Sequence, residues 1–137
     1  MLQPKKSRYL KQHRDKFQRF ATSGIAVSFG MYGFKAIEFG CVSASQIESV
    51  RRIISRNIKN VGKYWIRIFP DKAITKKPLE VRQGKGCGSV DRWVAVVDKG
   101  KVLFELSGVS SSVARGIHKV VASKLSVKTI FYERLSV

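Results

Sequence analysis

Seven cations crowd the start of the chain: Lys5, Lys6, Arg8, Lys11, Arg14, Lys16 and Arg19, with Asp15 the lone acid among them. Ammonium and guanidinium groups at that density suit one task above others, the neutralisation of closely spaced phosphates. A second set, Arg51, Arg52, Arg56 and Lys59, recurs at intervals that place most of it along one side of a helix. A third lies in the run Arg82-Gln83-Gly84-Lys85-Gly86-Cys87-Gly88-Ser89, where alternating glycines strip the backbone of side chains beside Arg82 and Lys85. Such a backbone can approach crowded phosphates and riboses closely. Over the whole chain 27 Lys and Arg face 9 Asp and Glu, a net charge of +18. That surplus repels itself, so a polyanion is its natural neutraliser.

The remaining reactive residues exclude other chemistry. The 9 acids are dispersed, most beside a turn or a base, and no pair suits general acid and base catalysis. Ser110-Ser111-Ser112 falls at a helix start, where capping is the expected role, and no Gly-x-Ser-x-Gly elbow occurs. The glycine run closes on neither a Walker Gly-Lys-Ser/Thr nor a Gly-x-Gly-x-x-Gly fingerprint. Cys41, Cys87, His13 and His118 are too scattered for a zinc site, and the cysteines read as reduced intracellular thiols. No apolar run approaches the length of about 20 residues that spans a bilayer. The expectation is a binding protein without catalytic residue, metal, cofactor or membrane segment.

The apolar pattern of the chain sets the elements that must hold these cations. Residues 1–24 read as a basic nucleic-acid-binding arm that orders on its partner, too poor in apolar residues for a core of its own. The body is expected over residues 25–137, with a glycine-rich loop at 82–91. Between Ile25 and Phe39 two short strands around a glycine turn are predicted. Ser43 and Gln46 form a capping box opening a helix. Its stripe is Ile47, Val50, Ile54, Ile58 and Val61, with Gly62 as stop and Arg52, Arg56 and Lys59 opposite. Tyr64 to Phe69 alternates as a strand, with Tyr64, Ile66 and Ile68 on one side and Trp65, Arg67 and Phe69 on the other. Leu79 to Arg82 reads as extended, and Trp93 to Val97 as a strand. The turn Asp98-Lys99-Gly100 then predicts Lys101 to Leu106 as its hairpin partner. A second helix over about Ser110 to Leu125 would bury Val113, Ile117, Val120 and Leu125, and Val127 to Tyr132 would close the domain as a strand. The fold class is α+β, a two-layer sandwich with two helices on one face of a mainly antiparallel sheet.

Longer stretches carry a family resemblance. Met-Leu-Gln-Pro-Lys-Lys at the start, Val27-Ser28-Phe29-Gly30, Gly33-Phe34-Lys35-Ala36 and Gln46-Ile47-Glu48 with Arg51-Arg52 resemble ribosomal protein L-sixteen. The most specific stretch is Gly62-Lys63-Tyr64-Trp65-Ile66-Arg67-Ile68-Phe69-Pro70-Asp71-Lys72, followed by Lys77-Pro78-Leu79, Val81-Arg82 and Gly84-Lys85-Gly86. Trp93-Val94-Ala95, Gly100-Lys101-Val102-Leu103-Phe104-Glu105 and Lys124-Leu125 extend the match almost to the end.

The resemblance implies a structural constituent of the large ribosomal subunit, bound to its ribosomal RNA near the peptidyl transferase centre. It implies that residues 82–89 point toward the aminoacyl-tRNA site, with tRNA and neighbouring ribosomal proteins as further partners. The rival reading is a non-ribosomal protein that binds structured RNA or DNA. This chain departs from the family pattern at Cys87 and Ser89, where the family loop commonly has Lys and Asn, and at Ser126, commonly Pro. Such drift suggests an organelle-encoded protein of the mitochondrial matrix, with plastid stroma or bacterial cytoplasm as alternatives.

Overall fold

A computed structural model describes residues 2–13, 19–59 and 61–134. Seven strands and two helices follow in the order β1 (Tyr32–Ala36), β2 (Gly40–Ser43), α1 (Ala44–Asn57), β3 (Lys63–Ile66), β4 (Lys72–Lys76), β5 (Ser89–Val97), β6 (Val102–Ser107), α2 (Ser111–Ala122) and β7 (Thr129–Glu133). The α+β class is as expected. The strands, however, divide between two antiparallel sheets, β3-β6-β1-β7 and β2-β5-β4. Both helices contact each other, and α1 also meets strands of both sheets. The core lies between them, with Phe34, Phe104, Ile47, Ile54, Leu103 and Leu106 fully buried.

The capping box forms as its spacing predicts. The Ser43 hydroxyl accepts from the Gln46 backbone N–H at 3.3 Å, and the Gln46 side chain accepts from the Ser43 N–H at 2.9 Å. Ile47, Val50, Ile54 and Ile58 are buried as one stripe, each contributing about 1.5–3 kcal/mol. Val61 falls outside it, because α1 ends at Asn57. Gly62 is a glycine for a different reason than a helix stop: a Cβ there would lie 2.4 Å from the Ser107 carbonyl oxygen. Ser43→Ala should cost about 1 kcal/mol in chemical denaturation, with an unchanged denaturant slope.

Several expectations are corrected by pairing that local patterns do not specify. The segment before Tyr32 forms no strand; β1 and β2 follow it and join different sheets. β3 stops at Ile66, although its alternation is real. Leu79 to Arg82 is not extended: Val81 N–H turns back to the Pro78 carbonyl, and Leu79 is 99% exposed with nothing to pack on. The strand there is β4, earlier in the chain. Val102 to Ser107 does not return on β5, whose flanks belong to β2 and β4. Instead Gly100 N–H bonds the Ala36 carbonyl and Val102 N–H that of Gly24, turning the chain into the other sheet. In α2, Val113 and Val120 are exposed and Ala114, Ile117 and Val121 are buried. Two stripes share Ile117, and the small Ala114 suits the side that packs most closely.

Candidate nucleic-acid interface

Charge leaves the interior almost entirely on one sign. Among the described residues four acids are taken up by cations: Glu48 by Arg51 and Arg52, Asp98 by Arg19, Glu105 by Arg67, and Glu133 by Arg115. The surplus faces outward. Lys5, Lys6, Arg8, Lys11, Arg19, Arg52, Arg56, Lys59, Arg82 and Lys85 are all exposed, and Arg51 is half-buried. Arg14 and Lys16 lie outside the described residues.

On α1 the four cations are not equivalent. Arg51 donates to both Glu48 carboxylate oxygens, at 2.8 and 2.7 Å, and Arg52 to one at 3.3 Å. These bonds, Arg51 foremost, hold the Glu48 carboxyl down to about 2. The cluster of three therefore carries one net positive charge at neutral pH. Arg56 and Lys59 make no ion pair among the described residues and leave a full charge each on the last turn and just beyond it. Glu48 thus satisfies the two cations nearest it in the helix and leaves the two beyond them.

The arm connects α1 with the glycine loop. Leu2 packs against the core and shares a groove with Ser45, Glu48, Ser49 and Arg52. Further along, Gln12 lies in a cleft with Cys41, Lys72 and Arg92, and the Lys11 ammonium reaches the Cys87 carbonyl at 3.5 Å. Residues Lys5 to Lys11 thus run from the helix cations to the loop cations. Arg19 is apart from them: its guanidinium is 3.7 Å from Asp98, and Ala21 N–H bonds the Lys99 carbonyl. Attachment to the body therefore begins before residue 25.

The loop is narrower than 82–91. β5 begins at Ser89, which pairs with Lys76, so Ser89 is a strand residue at the base of the loop. Residues 82–87 are all exposed. Gly84, Lys85 and Gly86 have φ of 111°, 52° and 90°, a left-handed run that only glycine adopts freely. The Lys77 ammonium donates to the Gly84 carbonyl across the loop. A side chain at Gly88 would meet the Lys76 carbonyl oxygen at 2.3 Å, so β4 leaves no room there. Lys77 was not singled out by sequence; its position just before Pro78 at the loop entrance was the available signal.

A buried carboxylate organises the other side of the molecule. Glu105 has no exposed surface and accepts backbone N–H bonds from Ser28, Phe29 and Gly30, at 3.2, 2.7 and 2.9 Å, together with the Arg67 guanidinium. Burial pushes its carboxyl up, but the donors from Gly30, Phe29 and Ser28 and from Arg67 outweigh this and leave it below the ordinary glutamate value. No motif pointed to Glu105. An acid inside the apolar run Val102 to Leu106, away from any turn, was the clue.

Among the described residues no three His, Cys, Asp or Glu are grouped so as to hold a metal, and no helix is long and apolar enough to cross a membrane. Cys41 and Cys87 are free and exposed. Outward cations on an arm, a helix and a bare loop, carried by an α+β body, define a protein of the polyanion-binding class. Its family is more specific. The family model described as Ribosomal protein L16p/L10e matches residues 4–132. The chain is 56% identical over 135 residues to the large ribosomal subunit protein uL16 of Buchnera aphidicola subsp. Baizongia pistaciae, covering 98% of both chains. It is 51% identical over 134 residues to the protein of that name from Xanthomonas campestris pv. campestris, and 52% to that from Alkalilimnicola ehrlichii, with 98% of each chain covered in both cases. The chain belongs to the ribosomal protein L16p/L10e family.

Proposed function

We propose that this chain is a structural constituent of the large ribosomal subunit that binds ribosomal RNA through the arm, the outer side of α1 and the glycine loop. The observation that carries this is family membership over residues 4–132, combined with a +18 charge displayed outward. The mechanism is phosphate neutralisation by cations that the fold holds in one arrangement, with structured RNA recognised through phosphates, 2′-hydroxyls and unstacked loops. No residue is given a catalytic role. Within the subunit the chain lies near the peptidyl transferase centre, and residues 82–88 face the aminoacyl-tRNA site. Neighbouring ribosomal proteins complete its contacts.

The relatives named above are bacterial, which supports a ribosome of the bacterial cytoplasm and lends no support to the mitochondrial matrix suggested by Cys87, Ser89 and Ser126. Binding of the purified chain to isolated large-subunit RNA tests the central reading. One chain per RNA and a steep loss of affinity with salt are expected. Equal affinity for unrelated RNA and duplex DNA would favour the non-ribosomal alternative. Arg82→Ala should reduce aminoacyl-tRNA binding to the particle while shifting stability by no more than about 0.5 kcal/mol, since an exposed loop side chain supports no core. Melting of the free chain beside tRNA binding to reconstituted particles checks this.

A further inference from the structure

The four-stranded sheet presents a second surface, away from the helices. Phe34 meets His118 of α2, so its neighbours Gly33 and Lys35 point to the opposite face. Register places Tyr132, Gly33, Glu105 and Trp65 in one row across that face. Residues 27–30 lie over the middle of the row, with Val27 on Gly33 and the three N–H groups on Glu105. This crossing lifts Phe29 into solvent. Its ring stacks with Trp65 at 6.1 Å and 22°, has the Arg67 guanidinium 4.9 Å from its centroid, and is still 60% exposed. At the end of the row Tyr132 is 41% exposed, with the Lys35 ammonium 5.3 Å from its ring. Arg134 borders the crossing, its side chain donating to the Ser28 carbonyl at 3.4 Å.

We propose that this face is a second RNA-binding surface, on which Phe29 and Tyr132 stack unpaired bases while Lys35 and Arg134 attract the adjoining phosphates. A buried ion pair anchoring exposed rings serves no core. An apolar protein partner would leave Lys35 beside Tyr132 and Arg134 at the crossing without counterparts, whereas a nucleotide offers a flat π face and an anion together. The inference rests on the ribosomal RNA reading above but uses none of the arm, α1 or loop cations.

The test is binding of the full chain to a short single-stranded RNA carrying 2-aminopurine, and to duplex RNA, for Phe29→Leu, Tyr132→Leu and Phe29→Tyr. Each Leu variant should weaken single-strand binding by about 5- to 150-fold and remove quenching of 2-aminopurine. Its salt slope and duplex binding should stay unchanged, because a ring contacts no phosphate and duplex bases are already stacked. Phe29→Tyr should restore both signals. Parental affinity and quenching in both Leu variants would overturn the proposal, as would equal losses on duplex RNA; Tyr132→Leu, at the sheet edge, decides the matter should Phe29→Leu melt early. Failure of the ribosomal reading would appear differently, as weak and non-stoichiometric binding of the parent to large-subunit RNA.

Discussion

Glu105→Ala is expected to lower the unfolding free energy by roughly 3–5 kcal/mol and the melting temperature by about 10–20 °C. The substitution leaves three backbone N–H donors of Ser28, Phe29 and Gly30 and the Arg67 guanidinium without the acceptor they share. Each such group keeps its desolvation cost while losing its partner. The crossing segment should loosen first, seen as faster amide exchange at Phe29 and Gly30. Acid should imitate the substitution. The folded value of Glu105 is lowered, so its contribution is fully present above the ordinary glutamate value near 4.5 and drains away as pH falls through the folded value. Parent and Glu105→Gln melting curves should therefore converge only once pH has fallen below that lowered folded value. A Glu105→Ala protein melting within a few degrees of the parent would contradict this view of the carboxylate.

The largest effect on binding is expected from the arm. Replacing Lys5, Lys6, Arg8 and Lys11 together with Gln removes four exposed cations, one of them touching the loop. If each meets one phosphate, the slope of log K against log salt should flatten by about 3, and affinity should fall roughly 10²- to 10³-fold at about 0.1–0.2 M salt. Melting of the free chain should hardly change, because these exposed side chains support no core. Titrations of large-subunit RNA at several salt concentrations give both numbers. An unchanged slope would remove the arm from the contacts.

Features set by neighbours in sequence were legible beforehand. Ser43 and Gln46 are three residues apart and satisfy each other's backbone wherever the helix goes, so the capping box needed no tertiary knowledge. The alternation of Trp65 and Arg67 against Tyr64 and Ile66 likewise placed their side chains correctly. What failed depends on distant partners. The apolar run Val102 to Leu106 after a turn marks a strand, but nothing local says that its neighbours are β1 and β3 instead of β5. The α2 stripe failed for a related reason: Val113 and Val121 are equally apolar, and only packing against α1, β1 and β7 selects between them. In the candidate site, the arm, α1 and loop cations were visible as charge. Glu105 and the aromatic row were not, since their meaning arises only when residues far apart in the chain come together.

The most direct measurement is sedimentation of a gentle lysate at moderate salt, with the chain followed across the gradient. Comigration with the large subunit at one copy per particle, persisting after fractions are rerun, is the predicted result. A chain recovered mainly as a free pool, or bound in fixed proportion to an acidic protein instead, would contradict it.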